Sequence, residues 1–153
     1  MPLSNEQLDE LAKPIRNLKI ICGTMLAGVC LAGIVICTII DLGNLNVLLK
    51  MLVAMAAATG AVMYSAALVA FKALSTQTHS RSEEPASHLK VLQSAWIVRF
   101  AVINGACFMN FIVTLLEHSL ITLFVALVGV LLMVVGFPRS VKVESLLEDR
   151  ISS

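Results

Sequence analysis

Charge is what this chain most lacks: 14% of its 153 residues are Asp, Glu, Lys or Arg, against roughly 25% in an average soluble domain. No two basic residues are adjacent and the net charge is +1, which excludes the basic patch that a nucleic-acid partner requires. The chain also lacks a Cys-x-x-Cys pair, a His-Glu-x-x-His pattern and a glycine-rich phosphate loop, so redox, zinc-protease and nucleotide chemistry have no starting point. Its four cysteines, Cys22, Cys30, Cys37 and Cys107, all fall in apolar stretches and read as small apolar side chains. No cofactor is implied.

What is present is apolar sequence, 58% of the total. Four long stretches, 20–40, 47–71, 91–116 and 120–137, each match the length a helix needs to cross a hydrocarbon core of about 30 Å. None alternates polar and apolar residues as a barrel strand would, so helices are the structure that satisfies the backbone within a bilayer. The fold class expected is all-α: a polytopic membrane protein with a four-transmembrane-helix bundle. Nothing outside these stretches is large enough for a soluble domain. The first stretch exceeds the 7 to 15 residues of a signal-peptide core, and Glu6, Asp9 and Glu10 precede it, so it reads as a retained span.

Basic residues set the orientation. Lys13, Arg16 and Lys19 precede the first span; Lys72, Arg81 and Lys90 flank the middle loop; Arg139, Lys142 and Arg150 follow the last. The other two connections carry none, and Lys50, one turn inside the second span, reaches outer headgroups by snorkelling. Both termini and the middle loop are therefore expected in the cytoplasm. Segment 4–19 carries Leu8, Leu11, Ile15 and Leu18 behind a Ser4/Gln7 capping box, with a kink expected at Pro14, and reads as an amphipathic helix on the cytoplasmic interface. A second such segment is expected at 139–151, and a flexible polar linker at 74–89.

Catalysis needs convergent polar groups in a shielded pocket, and no carboxylate lies inside any span. That excludes aspartyl chemistry and argues against proton-coupled export, which uses an embedded carboxylate. The small multidrug exporters, for instance, carry a Glu in their first helix. His79, His88 and His118 lie in or beside loops, too shallow to hold a haem between helices. An enzyme is not expected.

Arg99 calls for explanation, because it lies about 12 Å into the third span, where a charge costs at least about 2.5 kcal/mol. Counting inward from the cytoplasmic ends places it level with Tyr64 and Ser65, the expected partners. Its functional reading is a site for an anion or a lipid headgroup; its structural reading is a snorkelling arginine. Asn104 and Asn110, farther along the same span, read as interhelical hydrogen-bonding groups or as additions to that site. Small-xxx-small pairs recur in the first two helices, among them Gly23 with Ala27, Gly28 with Ala32, Gly33 with Cys37, Ala56 with Gly60 and Ala57 with Ala61. Both helices are therefore expected at the centre of packing.

With its Ala/Gly-rich descending helix, Glu84-Pro85 in the loop, and an ascending helix running from Phe100 through Asn104 to Val113, the stretch 54–116 resembles the hairpin of the rotary ATPase proteolipid, subunit c. The resemblance places Asn104 where that family carries its ion-binding carboxylate, and an amide does not titrate; alanines replace the family's Gly-x-Gly run. Together with the tail that begins Gly136-Phe137-Pro138-Arg139, the same stretch resembles small uncharacterised four-helix bacterial membrane proteins, which implies a bacterial inner membrane. The expectation is a non-enzymatic scaffold or accessory subunit in the lipid bilayer, associating through small-residue faces as a homo-oligomer or with another membrane protein. The alternative is a transport or anion-binding component using Arg99 with Tyr64, Ser65, Asn104 and Asn110.

Overall fold

The structure, a computed structural model, describes residues 5–40, 45–48, 50–76 and 85–138, with side chains placed for 13–40, 45–48, 50–74 and 90–138. Four helices follow one another: α1 (Asn5–Ile39), α2 (Met51–Thr76), α3 (Pro85–Glu117) and α4 (Leu120–Val135). Among the described residues there is no strand, only an isolated bridge between Asn46 and Ser119. The all-α expectation holds, and α1, α2 and α3 each contain 24 to 28 residues long and apolar enough to cross a membrane.

The fourth apolar run forms a shorter helix than its sequence span of 120–137. α4 has 16 residues, about 24 Å at a rise of about 1.5 Å per residue, which is less than a hydrocarbon core of about 30 Å. Gly136 still donates its N–H to the Leu132 carbonyl four residues back, but Phe137 donates to the Val134 carbonyl three back at 3.3 Å, tightening the last turn, and Pro138 has no N–H with which to continue.

The other ends also differ from the apolar boundaries. Segment 4–19 is no separate interfacial helix: from Asn5 it continues into the first span with Pro14 inside it. Ile15 and Leu18 are buried on the stripe that continues through Cys22, Val29 and Ile36, so one face of a single long helix lies along the bundle. Gln93 Nε2 of α3 donates to the Pro14 carbonyl at 2.8 Å and fastens the two helices at the end opposite the α3–α4 turn. α2 begins at Met51, and α3 opens at Pro85, a first-turn position where a missing N–H costs nothing. The side chains of the Ser4/Gln7 capping box, most of the linker and the segment 139–151 lie outside the described residues.

The centre of packing is α3, which touches all three other helices. Half of its most apolar window is buried, against 28% for α2 and 17% for α1. The expectation that the small-residue helices α1 and α2 would be central is thus corrected. Small residues permit close approach, but the bulk that fills this core comes from α3: Trp96, Phe100, Ile103 and Phe111 are almost wholly buried. Gly33 of α1 admits the Phe111 ring, which would lie 3.0 Å from a Cβ there, whereas Gly23 and Gly28 face open space. The exterior is apolar, with Leu31, Ile34, Val62, Val69, Phe124 and Val135 all exposed, as a lipid-facing surface would be.

At one end the connections are sewn together. Asn46 donates its N–H to the His118 carbonyl at 2.8 Å and accepts from the Leu120 N–H at 3.0 Å, while its Nδ2 donates to the Glu117 carbonyl at 3.1 Å. His118, at φ 47°, makes the tight turn between α3 and α4 in the left-handed region. Lys50 pairs with Glu117 across the same end, where an exposed pair contributes about 0–1 kcal/mol.

Candidate functional site

Polar groups enter the bundle in layers along α3. In the layer opposite the sewn end, Arg99 is 9% exposed and its guanidinium lies over the Phe71 ring of α2, 5.2 Å from the centroid. On its other flank is Gly136, where a Cβ would come within 2.6 Å of Arg99 Nη2. Trp96, one turn earlier, meets Phe71 edge-on at 5.1 Å and donates its indole N–H to the Gly136 carbonyl at 3.1 Å. The charge is thus met by an aromatic face and by the partial negative end of α4. No hydrogen bond or ion pair joins Arg99 to the described residues, and its Nε is buried without a partner.

Two turns along α3, Cys107 and Tyr64 meet α4 at Gly129. The Tyr64 hydroxyl donates to the Val125 carbonyl at 3.0 Å and lies 3.5 Å from Cys107 Sγ; the thiol donates to the Ala126 carbonyl at 3.5 Å. A side chain at Gly129 would overlap both the hydroxyl and the sulfur. One turn farther, Asn110 Nδ2 donates to the Ala106 carbonyl of its own helix at 2.9 Å and packs against Gly60 of α2, where a Cβ would come within 2.6 Å of it. Near the sewn end, the buried hydroxyls of Thr114 and Thr122 share a hydrogen bond at 2.9 Å.

The five sequence-selected residues therefore do not converge. Tyr64 does not bind Arg99; it ties α2 to α4 two turns away. Ser65 is exposed and donates to the Ala61 carbonyl of its own helix at 2.9 Å. Asn104 lies two turns beyond Ile97, on the side of α3 that Gln93 and Ile97 turn towards α1 in a groove of about 320 Å3; its Oδ1 is buried without a partner. Asn110 faces α2 and α4, against Gly60 and close to Val125.

Sequence reasoning missed Phe71, Trp96 and Gly136, which surround the arginine, and the Thr114–Thr122 pair. A signal for the first group was available in the single Trp and in the Gly-Phe-Pro that ends the last apolar run. The hydroxyl pair had none beyond two threonines in adjacent spans. Compared with known proteins, the chain significantly matches no family model, no curated protein and no solved structure.

Proposed function

We propose that this chain is a four-helix integral protein of a bacterial cytoplasmic membrane, with both termini in the cytoplasm, acting as a non-enzymatic scaffold or accessory subunit. The observation that carries the reading is the open state of its small-residue surfaces. A Cβ at Gly23 or Gly28 of α1, or at Gly105 of α3, would meet nothing within 4 Å, and Ala27 and Ala101 lie exposed one turn away from Gly23 and Gly105. In lipid, helices associate through close van der Waals approach at such residues rather than through hydrophobic burial. The internal polar groups support the same reading: most link helices of the bundle or bond within their own helix, and they do not line one shared pocket. The distribution of basic residues supports the orientation.

Native mass spectrometry in gentle detergent tests the proposal. A defined oligomer, or a stoichiometric complex with another membrane protein, is expected. Gly23→Leu and Gly105→Leu together should dissociate it while leaving helix content unchanged. A wild-type chain that is monomeric and unaccompanied at every concentration refutes the scaffold reading.

A further inference from the structure

The surroundings of Arg99 leave part of its chemistry unused. A guanidinium presents five N–H donors in a planar fork, yet here no described oxygen accepts from any of them. Phe71 covers one face, and the end of α4 offers a partial charge of about half a unit. Neither supplies an acceptor in the plane of the fork. Only Nε is sealed without a partner, so the terminal nitrogens remain within reach of an incoming group.

The depth of the site also differs from a count along the third apolar stretch. Gly136, which touches the guanidinium, ends the shortest apolar helix. A bilayer matched to α4 reaches its cytoplasmic boundary there, at the level of Arg99. α1, α2 and α3 all continue past it. Lys72 follows Phe71 directly, and Lys90 lies farther out along α3. Arg99 therefore stands at the level of phosphate groups rather than among acyl chains.

We infer that Arg99, stacked on Phe71 and given room by Gly136, binds a phosphate group, whose oxygens match the guanidinium fork. Two sources carry that chemistry: the phosphodiester of an anionic phospholipid and a free phosphate anion. This goes beyond a scaffold role and does not depend on subunit number.

The test uses the full chain in gentle detergent, with phosphatidylglycerol, phosphatidylcholine and inorganic phosphate as probes. Retention of one phosphatidylglycerol per chain under activation that strips phosphatidylcholine, lowered about tenfold or more in Arg99→Gln and unchanged in Lys90→Gln, supports the site with a lipid as its source. A thermal midpoint raised by millimolar inorganic phosphate in the wild type but not in Arg99→Gln supports it with a free anion. Gly136→Ala keeps the charge and displaces the guanidinium, so it should weaken whichever binding is seen even where Arg99→Gln disturbs insertion. A wild type that keeps no stoichiometric phosphatidylglycerol and does not respond to phosphate overturns the inference, as does equal binding by the wild type and Arg99→Gln.

Discussion

The absence of one Cβ decides how closely α4 approaches the Tyr64–Cys107 pair. Gly129→Ala should therefore destabilise the bundle by about 1–3 kcal/mol, the range for overpacking, read as a lowered unfolding midpoint in detergent. Gly28→Ala, which enters open space, should change it little. Tyr64→Phe removes the bond to the Val125 carbonyl and the contact with Cys107 Sγ and should cost about 0.6–1.7 kcal/mol. That Arg99 needed a partner on α2 was legible in the sequence, because a charge beside apolar neighbours is conspicuous. Which partner was not legible. Counting inward from the two apolar boundaries assumes that both helices enter the core at the same depth. α3 instead sits about two turns off that register against α2, which brings Arg99 to Phe71 rather than to Tyr64.

Helix existence was read directly from composition, since four apolar runs leave four helices as the economical structure. Helix ends were not, because hydropathy measures transfer from water whereas ends are set by hydrogen bonding. α2 begins at Met51 rather than at Val47, after Asn46 has engaged the α3–α4 turn, and α4 stops where Phe137 tightens the last turn and Pro138 lacks an N–H. α1 gains its N-terminal turns because Ile15 and Leu18 find α3 before they find an interface. Gln93→Leu removes the donor to the Pro14 carbonyl, a bond worth about 0.5–1.5 kcal/mol. Its expected signature is faster amide exchange at residues 13–18, with the middle of α3 unchanged; uniform acceleration along α3 would show that the bond is not local.

For the whole molecule, the positive-inside rule gives an orientation that reporter fusions can read: Ser80 and Ser153 are expected inside and His118 outside, and the reverse pattern would overturn the proposed orientation. The central place of α3 was hidden in the sequence because small residues mark where helices can approach, not which helix supplies the bulk between them. The sewn end has a further consequence, in time rather than in space. Asn46 and Glu117 are separated by 71 residues, and synthesis at about 5–20 residues per second separates their appearance by about 4–14 s. Until the α3–α4 turn is made, the Asn46 backbone donor and acceptor lack these partners and must be satisfied otherwise, by water for example. A chain cut before Leu120 would leave the Asn46 carbonyl without its donor, so the start of α4 completes the loop between α1 and α2.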